Sequence, residues 1–125
     1  MHENEISKHI IDAALRVHTR LGPGLLESTY EACLVYELSR RGLSLACQVP
    51  LPVIYDAVRI PIGYRVDMIV ADRVIVELKA VDAIHPIHRA QLLSYLRLTG
   101  KKLGLLFNFN EVHLKDGIIR LVNNL

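Results

Sequence analysis

At 125 residues, 51% hydrophobic and 22% charged, the chain is long enough to bury its own core and too apolar to be disordered. Its net charge of +2 permits nucleic acid as a partner but is low for a protein built to coat DNA. No apolar run reaches membrane-span length and the polar, acid-containing start MHENEISKHI does not resemble a signal peptide, so the expectation is one cytoplasmic domain, residues 1–125, with no membrane partner.

The first helix is expected to start at an Asn4 cap and run to about Leu21, with Ile11, Ala14, Leu15 and His18 or Leu21 facing inward. Gly22-Pro23-Gly24 ends it. A second helix from about Leu25 to Arg41 presents Leu26, Tyr30, Cys33, Leu34 and Leu38 to the core and stops at Gly42. Glu27 falls in its first turn, where an acid complements the helix dipole. Tyr30 reads as a core residue with a wet hydroxyl. Cys33 and Cys47 form neither a disulfide framework nor a zinc pattern, and read as small buried residues in a reducing compartment.

Leu45–Tyr55 and Val58–Ile62 look like strands joined across Asp56-Ala57, and Pro50, Pro52 and Pro61 point to a sheet edge. Tyr64–Val70 and Val74–Ala80 form a second, stronger hairpin. His85 caps a third helix with Pro86 in its first turn, running to about Leu98 and stopping at Gly100. Lys102–Asn108 is a buried strand. Val112–Leu114 and Ile118–Val122 close the chain as a hairpin turning at Asp116-Gly117. This order implies an α/β sandwich on a mixed sheet.

The second hairpin carries the chemistry. A turn at Ala71-Asp72-Arg73 sets Val70 opposite Val74, Asp67 opposite Glu77 and Arg65 opposite Lys79, with Cβ atoms about 5 Å apart in each pair. The other face (Val66, Met68, Val70, Val74, Val76, Leu78) is wholly apolar, and a one-residue slip would bury the charges. Two facing carboxylates repel unless a hard cation such as Mg²⁺ binds between them. Lys79 points the same way, and could hold an attacking water or stabilise charge developing on a phosphate. A solvated salt-bridge lattice of Arg65, Asp67, Glu77 and Lys79 is the alternative. On the third helix Gln91 and Tyr95 share a face. His85 and His88 have no third ligand nearby, so a zinc site is set aside. No Walker loop, dinucleotide-binding glycine pattern or Ser/Cys nucleophile signature is present, and no cofactor-binding residues are expected.

The ordered set Glu27, Asp67, Glu77-Leu78-Lys79 and Gln91-x-x-x-Tyr95 resembles the PD-(D/E)xK nuclease superfamily, and the Gln-x-x-x-Tyr helix its RecB-like branch. Gly24-Leu25-Leu26-Glu27-Ser28-Thr29-Tyr30 resembles the motif of the GxxExxY proteins, a likeness that continues through Ala90–Leu96 and Leu103–Asn110 to Asp116-Gly117-Ile118. The proline often found before the aspartate is Val66 here. The resemblance implies a three-layer α/β/α-like, restriction-endonuclease-type core with a central mixed β-sheet. It implies Asp67, Glu77 and the Leu78 carbonyl as ligands of Mg (or Mn), with Lys79 as the catalytic lysine. Glu27 would be the acid from the first core helix, and Gln91 and Tyr95 would shape the site. The function so implied is metal-dependent hydrolysis of DNA or RNA phosphodiesters, with a homodimer possible. The rival readings are a non-catalytic nucleic-acid or protein-binding module and a hydrolase of a small phosphorylated molecule.

Overall fold

The computed structural model describes residues 1–125, apart from the side chain of Ile62. Helix α1 (Glu3–Leu21) opens on a reciprocal cap: the His2 ring accepts from the Asn4 amide, and Glu5 reaches back to the His2 amide. Asn4 is therefore not the cap, and its side-chain oxygen is taken by Arg120. The buried stripe is Ile6, Ile10, Ala13, Ala14, Val17 and His18, whereas the expected Leu15 and Leu21 are exposed. The spacing of Ile6, Ile10, Ala13 and Val17 follows the helix repeat and sets the face that packs.

Helix α2 (Glu27–Arg40) begins later than expected, since Leu26 is its extended, exposed N-cap residue. Tyr30, Leu34 and Leu38 are buried as expected, Cys33 is half-buried, and Cys47 is exposed rather than buried. Strand β1 (Leu45–Tyr55) turns at Asp56-Ala57, both with positive φ, into β2 (Val58–Val70). The two expected segments Val58–Ile62 and Tyr64–Val70 are thus one strand. Gly63 does not interrupt it, because its backbone stays extended. β1 lies at the sheet edge with Pro50 and Pro52, and Pro52 falls in the register shift between Leu51 and Val53.

β3 (Val74–Lys79) follows the turn with Val70 opposite Val74. α3 (Pro86–Thr99), capped by the His85 ring, crosses over to β4 (Leu103–Asn108), which runs parallel to β3. β5 (Ile118–Val122) pairs antiparallel with β4, completing a five-stranded mixed sheet in the order β1-β2-β3-β4-β5. The strand expected at Val112–Leu114 is absent. Leu114–Gly117 is a 3-10 turn that sends Leu114 into the core.

The core has two halves. α1 and α2 pack on Met68, Val70, Val74, Val76, Leu78, Leu105 and Phe107. α3 packs Leu92, Tyr95 and Leu96 on Ile69, Ile75 and Leu106. This is the α/β/α layering of a restriction-endonuclease-type core, and it explains why β3 and β4, covered on both faces, read as nearly continuous apolar runs. Gly104 permits the close approach of α3, since a Cβ there would stand 2.9 Å from Leu92 Cδ1.

Candidate active site

β2 and β3 pair only from Met68↔Val76 to Val70↔Val74. Beyond Met68, β2 continues with β1 alone and leaves an edge of β3 vacant. Asp67 falls opposite Glu77 in this register, as expected. The expected Arg65–Lys79 pair does not form, because β2 has already departed and Arg65 lies across from Pro50.

Buried backbone groups on such an edge need partners. The Leu78 amide donates to Asp67 Oδ2 at 2.8 Å, and the Ala80 amide donates to Glu27 Oε2 at 3.3 Å. Two carboxylates thus replace the missing strand. The Lys79 carbonyl turns the other way and accepts from the Phe109 amide at 2.8 Å. By strand alternation the Leu78 carbonyl points to the vacant edge, between the two acids. Glu27, Asp67 and Leu78 line a cleft of about 120 Å³ with Ser28, Glu31 and Gln48. That volume is well below the 300 Å³ or so at which small-molecule pockets begin, and three carboxylates on the walls make it a place for a cation rather than an anion.

Glu77 is buried and receives the Asp67 amide on Oε1 at 3.4 Å. Burial, and then the adjoining Asp67 carboxyl, push its pKa up to about 9, an increase that Lys79 only partly offsets. The two carboxyl groups adjoin, and burial keeps the proton on Glu77. Among the described residues no ion pair forms within Arg65, Asp67, Glu77 and Lys79, so the salt-bridge lattice is not what the fold builds. Tyr95 is buried on α3, and its phenol pKa is raised by burial and then by Glu77 and Asp67, which keeps the proton on the hydroxyl. Gln91 lies on the same face of α3 but is exposed and makes no hydrogen bond to either acid. His88 accepts from the His85 amide and His85 from the Ile87 amide, so both histidines serve as caps.

The Gly24-x-x-Glu27-x-x-Tyr30 spacing has a mechanical cause. Gly24 sits at φ +97°, which favours glycine. Glu27 reaches across to β3, and the Tyr30 hydroxyl donates to the Gly22 carbonyl at 2.6 Å and accepts from the Leu25 amide at 3.1 Å. Tyr30, stacked on Phe109 with centroids 4.5 Å apart, therefore ties the loop that presents Glu27; its hydroxyl is not simply wet.

Three residues of the site escape sequence reasoning. Gln48 interrupts β1 at φ +51°, opposite Asp67, with paired residues on both sides of it. The same irregularity puts Val66 in the α3 half of the core while Met68 lies in the other, so the expected apolar face is not continuous. Gln48 donates to Glu31 Oε1 at 2.9 Å. Glu31 sits one turn after Glu27, a spacing that could have flagged it. Asn108, fully buried, accepts from the Val81 amide and donates to its carbonyl, and so fixes the segment that follows Lys79.

Among the described residues no three His, Cys, Asp or Glu side chains stand close enough to hold a metal by themselves. The donors that do converge, two carboxylates and a backbone carbonyl, are all hard oxygens of the kind Mg²⁺ prefers. In that respect the residues fit a divalent cation. The family model of the PD-(D/E)XK nuclease superfamily matches residues 4–121, and the chain belongs to that superfamily. No curated protein and no solved structure matches it. Among the described residues no helix is long and apolar enough to cross a membrane.

Proposed function

We propose that this chain is a metal-dependent nuclease of the GxxExxY group, on the RecB-like branch of its superfamily, and that residues 1–125 act as one catalytic unit. The observation that carries the reading is the contact of Asp67 with a buried Glu77 that no cationic side chain neutralises. Asp67, Glu77 and the Leu78 carbonyl would hold Mg²⁺ or Mn²⁺. The bound ion supplies Lewis acidity toward a phosphodiester of DNA or RNA. Lys79, with no ion-pair partner among the described residues, holds the attacking water and stabilises charge developing on the phosphate. Glu27 fixes the end of β3 and lines the acidic cleft beside Asp67. The Tyr95 hydroxyl stays a donor beside the two acids, and Gln91 flanks it. We assign the cytoplasm as the compartment on the two free cysteines, and hold a homodimer as the assembly to be tested by light scattering.

The test is incubation with single- and double-stranded DNA and RNA in Mg²⁺ or Mn²⁺. Wild type should cleave at least one of them, and Asp67→Ala and Lys79→Ala should not while remaining folded. Absence of cleavage of every substrate with either ion would overturn the reading.

A further inference from the structure

A second groove of about 320 Å³ lies between α3 and the β1–β2 arm. Its walls include Val53 and Tyr64 of the arm, and Ile87, Gln91, Ser94 and Tyr95 of α3. None of the residues lining it carries a formal charge. Tyr95 links this groove to the acid site: it packs against Ile75 of β3, and Glu77, two residues further on, lies by strand alternation on the same face of the sheet. Tyr64 stands edge-on to Tyr95, with centroids 6.4 Å apart and planes at 62°, and remains 42% exposed.

We propose that this groove is a nucleobase subsite, with Tyr64 as the stacking platform, and that it makes single-stranded nucleic acid the preferred substrate. The inference rests on the nuclease reading for the identity of the neighbouring site. An uncharged, largely apolar slot beside a site for a phosphate matches the two halves of a nucleotide. The backbone belongs with Lys79, and a planar base belongs on an aromatic ring. Gln91 and Ser94 add an amide and a hydroxyl that can meet a base edge. A base stacked and paired in a duplex reaches such a slot only after unpairing, which is a source of selectivity for single strands.

The experiment measures both binding and cleavage. Fluorescence anisotropy with labelled oligo(dT), without metal, compares wild type with Tyr64→Phe, Tyr64→Leu and Tyr64→Ala. Stacking on one aromatic is worth about 1–3 kcal/mol, so Tyr64→Leu and Tyr64→Ala should weaken binding by roughly 5- to 150-fold while Tyr64→Phe matches wild type. Tyr64→Leu keeps apolar bulk, and melting curves confirm that each variant is folded. In Mg²⁺ Tyr64→Leu and Tyr64→Ala should lose single-strand cleavage mainly through a raised KM, while Tyr64→Phe cleaves as wild type does. Replacing the preferred nucleotide by an abasic one should impair wild type and leave Tyr64→Ala unaffected. Equal oligo(dT) binding by wild type and Tyr64→Leu, or a loss shared by Tyr64→Phe, overturns the subsite. Absence of cleavage on every substrate, with Tyr64-dependent binding intact, overturns the nuclease reading and not the subsite.

Discussion

Raising the pH on the metal-free protein should destabilise it, and Glu77 sets the size of the effect. Its pKa rises from an ordinary 4.5 to about 9 on folding, because the carboxylate would be buried against Asp67. Between those values the folded state keeps a proton that the unfolded chain has released. The contribution is fully present below pH 4.5 and is lost as pH climbs toward 9. Each unit is worth about 1.4 kcal/mol, so the 2.5 units from pH 5 to 7.5 remove about 3 kcal/mol. For a domain of this size that is a fall in Tm of roughly 10 °C. The assay is thermal melting by circular dichroism in EDTA at both pH values, for wild type and Glu77→Gln. The variant keeps the shape and cannot ionise, so its drop should be smaller by about that amount. Adding Mg²⁺ should flatten the wild-type response, since a bound cation favours the ionised acid. Identical pH slopes for wild type and Glu77→Gln would refute the burial argument.

Tyr30→Phe removes the hydroxyl that ties Gly22 to Leu25, and should cost about 1–3 kcal/mol in chemical denaturation and lower cleavage by loosening the loop that carries Glu27. Asn108→Ala leaves both polar groups of the Val81 backbone without their partner, and should cost about 3 kcal/mol by the same measurement. Lys79→Ala should change stability by no more than about 0.5 kcal/mol, since it breaks no ion pair, while abolishing cleavage. A strongly destabilised Lys79→Ala would mean that the lysine is a structural partner instead.

Much of the site was readable because its residues sit on regular repeats. The apolar faces around Val70-Val74 force one hairpin register, and that register places Asp67 beside Glu77. The α3 boundaries were legible from His85-Pro86 and Gly100, which are local signals. What could not be read is where pairing stops. No residue between Tyr64 and Val70 announces that β2 leaves β3 at Asp67, since strand length depends on partners distant in sequence. Gln48 in a left-handed conformation inside a strand has no sequence signature. Glu27 looked like a helix-dipole acid because its acceptor role needs Ala80, which only the folded sheet brings near. On α1 the expected Ala14 and His18 are buried, but Leu15 and Leu21 are exposed, because they lie off the stripe that Ile6, Ile10, Ala13 and Val17 define.

The proposed metal site stands on the vacated edge of β3, where acidic side chains gather around backbone groups that a strand would otherwise cover. Isothermal titration of Mn²⁺ at pH 7.5, in buffers of different ionisation enthalpy, tests that claim most directly. Wild type should bind saturably and release about one proton, because Glu77 must give up its hydrogen to become a ligand, and Asp67→Ala should lose most of the binding. No saturable heat in wild type, or equal affinity in Asp67→Ala, would contradict it.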